Sequence, residues 1–229
     1  MTAANMSIQP YSDDPRPTTV PPRLTAIGLA CRRGSKLLFK DLHFQVGAGE
    51  ILWVRGYNGS GKTSLLRLAT GLSAPDAGQI SWGGIPVRQA DGFRQQLTYV
   101  AHANALKEDL TVSETLEFLL RIHGRPGGDL PIQAALEAWE LQSHRRTTVR
   151  TLSQGQRRRV ALARLADDDR PSLWILDEPF DALDADGVAR LHALLNRHAN
   201  RGGTTLLTSH QILDIEALRP KEVNLDRYC

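Results

Sequence analysis

Among 229 residues the chain holds only two cysteines, Cys31 and Cys229, which excludes a disulfide framework and suits a reducing compartment. It has no C-x-x-C-H segment and no Cys/His cluster with zinc-ligand spacing. No stretch approaches the roughly 20 uninterrupted apolar residues that a membrane-spanning helix needs. The amino-terminal segment lacks the charged-then-apolar order of a signal peptide. Neither sign of charge dominates, the net value being +3, and aromatics make up 6% of the chain. The arginines at 145–146, 150 and 157–159 therefore read as a solvated face, or as a face beside anionic lipid or an acidic partner. A nucleic-acid surface would interleave aromatics with that charge, so none is expected. No internal repeat is visible.

What is present suits one domain. A hydrophobic content of 41% supports one full core. Residues 1–22 hold five of the twelve prolines together with Ser, Thr and Asp, and read as a disordered extension ahead of a domain at 23–229. From Leu24 to Val54 the pattern is that of strands, with Leu42-His43-Phe44-Gln45-Val46 alternating before a turn at Gly47-Ala48-Gly49. The middle is helical. Thr111 and Glu114 form a capping box, Val112, Leu116, Leu119 and Leu120 share one face, and Gly124-Arg125-Pro126-Gly127-Gly128 stops the helix. A second helix is expected over Pro131–Leu141, with Ile132, Ala135, Leu136 and Trp139 inward.

The chemistry begins at Gly56-Tyr57-Asn58-Gly59-Ser60-Gly61-Lys62-Thr63, which fits G-x-x-x-x-G-K-[ST]. Its glycines let backbone N–H groups approach phosphate oxygens, Lys62 reaches the β- and γ-phosphates, and the Thr63 hydroxyl reaches Mg²⁺. The setting is right: Ile51-Leu52-Trp53-Val54 is an apolar strand before the loop, and Ser64-Leu65-Leu66-Arg67-Leu68 opens a helix after it. Further on, Ser172-Leu173-Trp174-Ile175-Leu176 is an apolar run suited to a central parallel strand, ending in Asp177-Glu178-Pro179. At the carboxyl end of such a strand side chains open into the ligand crevice, which puts Asp177 near Mg²⁺ and Glu178 near an attacking water as general base. The expected substrate is thus ATP with Mg²⁺.

Leu152-Ser153-Gln154-Gly155-Gln156, followed by Arg157-Arg158-Arg159-Val160, resembles the signature motif and helix of ABC-type ATPases, with Gln154 where that family most often has a small residue. The resemblance implies that Ser153, Gly155 and Gln156 face nucleotide held by another subunit, where a helix N-terminus presents free N–H donors to an anion. Ala182-Leu183-Asp184 is similar to the family's D-loop, which puts Asp184 in the nucleotide-binding set, and Thr208-Ser209-His210 to its switch histidine, a γ-phosphate sensor. The implied fold is an α/β P-loop cassette with a RecA-like core, an N-terminal antiparallel β region and an inserted helical subdomain at about 105–165, through which such cassettes dock on membrane partners. One motif set in one chain fits one cassette, working as a homodimer.

Two positions depart from the general pattern. Upstream of the P-loop, where an aromatic usually stacks on adenine, stands Cys31-Arg32-Arg33-Gly34, and the Arg33 guanidinium plane would lie on the purine for about 0.5–2 kcal/mol. Where Tyr-Val-x-Gln is usual the chain has Tyr99-Val100-Ala101-His102, and imidazole is a poorer Mg²⁺ ligand than an amide oxygen, so a water-bridged or transmission role suits His102 better than coordination. The set Leu29-Ala30-Cys31-Arg32-Arg33-Gly34, Leu38-Phe39, Asn58-Gly59-Ser60-Gly61-Lys62-Thr63, Ala101-His102-Ala103-Asn104-Ala105-Leu106-Lys107, Trp174-Ile175-Leu176-Asp177-Glu178-Pro179-Phe180 and Ser209-His210-Gln211 resembles the ATP-binding subunits of bacterial cytochrome c maturation haem exporters over about Leu24 to Leu218. That likeness implies a peripheral ATPase on the cytoplasmic side of the inner membrane, paired with membrane-spanning permease subunits. Its hydrolysis would drive haem export or release of a haem-loaded chaperone. An ABC exporter of another substrate, or a soluble ABC ATPase without transport, are the alternatives.

Overall fold

The computed structural model describes residues 24–125, 127–166, 170, 172–210 and 215–229. The expected extension at 1–22, Pro126 and Gln211 lie outside the described residues. Two sheets build the core. Strands β1 (Leu24–Arg33), β2 (Lys36–Val46), β4 (Ala77–Trp82) and β5 (Ile85–Pro86) form an antiparallel sheet in the order β2-β1-β4-β5. Strands β3 (Ile51–Arg55), β6 (Leu97–Val100), β7 (Leu173–Leu176), β8 (Thr204–Thr208) and β9 (Lys221–Asn224) form a parallel sheet in the order β6-β7-β8-β3-β9. The period of two along each strand divides the core. Leu52, Val54, Leu173 and Ile175 face one apolar cluster with the antiparallel sheet and helix α1 (Lys62–Ala69), while Ile51, Trp53, Trp174 and Leu176 face the other with the helices.

Strand β7 is buried along its whole length, as its apolar run requires. Helix α2 (Val112–Ile122) starts at the expected capping box: Thr111 accepts from the Glu114 N–H at 3.3 Å, and the Glu114 carboxylate accepts from the Thr111 N–H at 2.8 Å. Helix α3 spans Asp129–Ala138 and so starts ahead of Pro131. Proline is tolerated there because the N–H groups of the first turn have no intrahelical acceptor. It ends before Leu141 because Glu140 turns to φ +53°. Trp139 closes the helix, fully buried with Ile132, Ala135 and Leu136.

One expectation is overturned in helix α4 (Gln154–Ala163). The run Arg157-Arg158-Arg159 is not a solvated face, since Arg158 is only 2% exposed and the Arg159 side chain 15%. Successive helical residues point about 100° apart, so three in a row cannot share one solvated side of a helix packed on a core. Helix α5 (Ala185–Asn200) follows β7, and the short α6 (Ile215–Leu218) precedes β9.

Candidate nucleotide site

Strand β3 delivers the chain into the P-loop, where Gly56, Gly59 and Gly61 take φ of +146°, +82° and +103°. At Gly61 a side chain would be strained by the positive φ and crowded as well, its Cβ lying 3.1 Å from Leu38 and Phe39. Gly61 also begins α1 with no side-chain cap and no acidic residue in the first turn, leaving the N–H groups there to an anion. Lys62 folds back, its Nζ donating to the Gly56 carbonyl at 2.8 Å and the Tyr57 carbonyl at 3.3 Å. The loop is anchored from the far end of the chain, where Asp226 accepts the Tyr57 N–H at 3.0 Å.

The carboxylates arrive at the C-terminal end of β7. Asp177 is 2% exposed and accepts two hydroxyl protons, from Thr63 and from Thr208, each at 2.9 Å. Thr63 and Asp177 thereby bring together two hard oxygen donors, as Mg²⁺ binding asks. No cluster of three or more His, Cys, Asp or Glu suited to a metal occurs among the described residues. Glu178 sits at φ +47°, with its N–H donated to Thr208 Oγ1 at 2.8 Å. Its carboxylate accepts the His210 N–H at 2.9 Å and lies 3.4 Å from His210 Nε2. Burial pushes the Glu178 carboxyl above the usual range, and the His210 N–H together with the charges of His210 and Lys62 opposes that rise.

Of the residues singled out from sequence, Arg33, Asn58, Gly59, Gly61, Lys62, Thr63, Ser64, His102, Asp177, Glu178 and His210 line one cleft of about 310 Å³. Gly56, Tyr57 and Ser60 do not line it and form the frame of the loop. Tyr57 is exposed, and Ser60 is buried 2.5 Å from where a Gly56 Cβ would lie. His102 faces Asp181, Nδ1 to Oδ2 3.7 Å. Ser153, Gly155, Gln156 and Asp184 stand outside the cleft. Ser153 caps α4 by accepting the Gln156 N–H, and Gln156 Oε1 accepts the Ser153 N–H at 2.9 Å while its Nε2 donates to His144 Nε2 at 2.9 Å. Gly155 is required by close approach, since a Cβ would sit 2.8 Å from the Ala182 carbonyl oxygen, whereas the unusual Gln154 is exposed. Asp184 caps α5 through the Gly187 N–H and takes Arg159 Nη2 at 2.6 Å on both oxygens, which holds its carboxyl below the usual range.

Sequence reasoning quoted Leu38 and Thr208 within motifs but gave neither a site role, and it passed over Asp181 and Asp226. Thr208 opens the quoted switch-histidine motif and Asp181 follows the quoted Phe180, so both were findable as polar side chains of those turns. Asp226 carries no local signal.

A P-loop, a carboxylate pair at a parallel strand's end and a glycine-bearing helix start beyond the cleft together define an ATP-binding cassette. The chain belongs to the ABC transporter family, whose profile matches residues 39–181, and is an ATP hydrolase coupled to transport. Its close relatives narrow the family further. The cytochrome c biogenesis ATP-binding export protein CcmA of Pseudomonas putida is 48% identical over 207 residues, covering 90% of this chain and 98% of that one. The protein of the same name from Escherichia coli is 42% identical over 203 residues, covering 88% and 96%. In fold, an ABC transporter ATP-binding protein of Pyrococcus furiosus matches with a TM-score of 0.77 at 23% identity over 90% of this chain and 98% of that one. A dimeric ATP-binding cassette in a post-hydrolysis state bound to ADP and Pi matches with a TM-score of 0.73 at 23% identity, over 88% and 93%.

Proposed function

We propose that two copies of this chain close on two ATP molecules and drive haem export, or release of a haem-loaded chaperone, for c-type cytochrome assembly. The observation that carries the reading is the division of the motifs: Lys62, Thr63, Asp177, Glu178 and His210 line one cleft, while Ser153 and Gly155 lie outside it. A second copy would bring those two residues to the γ-phosphate. The likeness to the cytochrome c biogenesis export proteins supports the cargo. No helix among the described residues is long and apolar enough to cross a membrane, so permease subunits would supply the span and hold the ATPase at the cytoplasmic side of the inner membrane.

In this reading Lys62 exchanges the Gly56 and Tyr57 carbonyls for the β- and γ-phosphates, and the free N–H groups of α1 take up the phosphate oxygens. Glu178 accepts a proton from the attacking water as the water oxygen bonds to the γ-phosphorus and the bond to the bridging oxygen of ADP breaks. A carboxyl raised by burial is a stronger base than an exposed one, which suits that task. His210, whose N–H fixes one Glu178 oxygen, presents its ring to the cleft and would donate to the γ-phosphate. Thr63 and Asp177 would hold Mg²⁺, Asp177 directly or through water. The metal, when bound, supplies neutralisation of charge between the β- and γ-phosphates.

Glu178→Gln tests the chemistry. It should bind ATP, accumulate as a dimer and lose about 10²–10⁴ of its turnover. A variant that stays monomeric with ATP and Mg²⁺, or turns over like wild type, would show the two-sided site to be wrong. In cells, deletion should abolish haem staining of c-type cytochromes, with rescue by the wild type and not by Glu178→Gln. Unchanged staining after deletion would remove the proposed cargo.

A further inference from the structure

Arg158 lies on α4, outside the P-loop and the carboxylate turn, yet it is 2% exposed and every N–H of its guanidinium is used. Nη2 donates to the carbonyls of Asp177 at 2.9 Å and Glu178 at 2.6 Å, and Nε to that of Pro179 at 3.3 Å. Nη1 donates to the Ala101 carbonyl and to Asn104 Oδ1, each at 3.0 Å. A guanidinium offers five donors in a planar fork, and here all five meet neutral acceptors. Burying a charge without a bonded carboxylate is costly, so the arrangement is a poor way to gain stability alone. Asp177, Glu178 and Asp181 partly offset that cost at longer range, while burial holds the guanidinium below its usual range.

What the fork grips is specific. Three consecutive carbonyls bracket Glu178, the one carboxylate of the turn with a left-handed backbone, a region sparsely populated by non-glycine residues. Thr208 takes the Glu178 N–H, so Arg158 and Thr208 between them bind the polar backbone groups on both sides of that residue's Cα. The other two donors reach the turn that carries His102.

We infer that Arg158 is a positioning residue for hydrolysis: its guanidinium holds the backbone of Glu178 so that the carboxylate meets the water, and ties that backbone to the 101–104 turn and to α4. This rests on the reading of Glu178 as general base. Lysine, with three donors on a point charge and no fork, cannot replace it.

The test uses the full chain with Arg158→Gln, Arg158→Lys and Asn104→Ala, in steady-state hydrolysis over a range of Mg·ATP. Both Arg158 variants should lose about 10²-fold in kcat, the size of effect that follows a displacement of about 1 Å at a reacting group. KM for ATP should stay within about threefold, since the loss falls on the chemical step and not on ATP binding. In a Glu178→Gln background, Arg158→Gln should lower single-turnover hydrolysis no further, because nothing is left to position. An equal further fall in that background, or a wild-type kcat in Arg158→Gln, would overturn the inference. Should Arg158→Gln not fold, Asn104→Ala decides, since it removes one acceptor and leaves the charge: a lowered kcat at unchanged KM supports the inference and an unchanged kcat overturns it. Turnover by Glu178→Gln alone would instead defeat the base assignment, and this inference with it.

Discussion

Thr208 is fully buried and does two things at once: its hydroxyl donates to Asp177 Oδ1 at 2.9 Å and accepts the Glu178 N–H at 2.8 Å. Thr208→Val keeps shape and β-branching on a strand while deleting both bonds. A buried N–H left unpaired costs about 1–3 kcal/mol, and a hydrogen bond to an ionised carboxylate is worth about 1.5–3. Asp177 keeps Thr63 and borders the cleft, where water can replace the lost donor, so the two terms should not add in full. A net loss of about 2–4 kcal/mol follows. For a chain of this length each kcal/mol moves the midpoint by about 2–4 °C, which puts the variant roughly 5–15 °C below wild type in nucleotide-free thermal unfolding. Thr208→Ser, which keeps the hydroxyl and loses one methyl, should cost only about 1 kcal/mol. The order of stability is therefore wild type, serine, valine. Valine within about 0.5 kcal/mol of wild type, or above serine, would refute the claim that the hydroxyl holds the two carboxylate residues.

Two departures from the family pattern yield further expectations. Arg33→Ala should weaken ATP binding by roughly 2- to 30-fold, the equivalent of 0.5–2 kcal/mol of stacking, and Arg33→Tyr should preserve or improve it. Equal affinities for all three proteins in titration calorimetry would leave Arg33 a surface charge. His102→Ala should keep ATP binding and dimer formation yet lose c-type cytochrome assembly in cells, with His102→Gln restoring it; normal assembly in the alanine variant would remove the transmission role.

What could be read without coordinates was whatever lies close together along the chain. The P-loop glycines, the Thr111–Glu114 box and the apolar run of β7 each carry their own local physics, and each is seen where its pattern predicts. The links between segments were not legible. Thr208 meets Asp177 across 31 positions and Asp226 meets Tyr57 across 169, through strand order in the parallel sheet that no local pattern encodes. Arg158 was misread for the same reason. Its neighbours in sequence are arginines, whereas its neighbours in space are the carbonyls of residues 177–179.

The two helix starts of the site explain why one copy of the chain would leave half of its chemistry idle. Helix α1 begins at Gly61 with no side-chain cap, and the residues around that start line the cleft. Helix α4 begins with Ser153, whose oxygen accepts the Gln156 N–H. That bond leaves the Ser153 hydroxyl proton and the N–H groups of Gln154 and Gly155 without an intrahelical acceptor. Both starts therefore favour an anion, but only the first adjoins Lys62. Asp184 cannot make up the difference from within the chain, because Arg159 occupies both of its oxygens and the Gly187 N–H holds one of them as well. On the proposed reading, the anion for α4 is the γ-phosphate held by a second copy of the chain. Glu178→Gln makes that proposal measurable: if two copies share the phosphate, slowed hydrolysis should make a dimer accumulate with ATP, and a variant that stays monomeric would refute it.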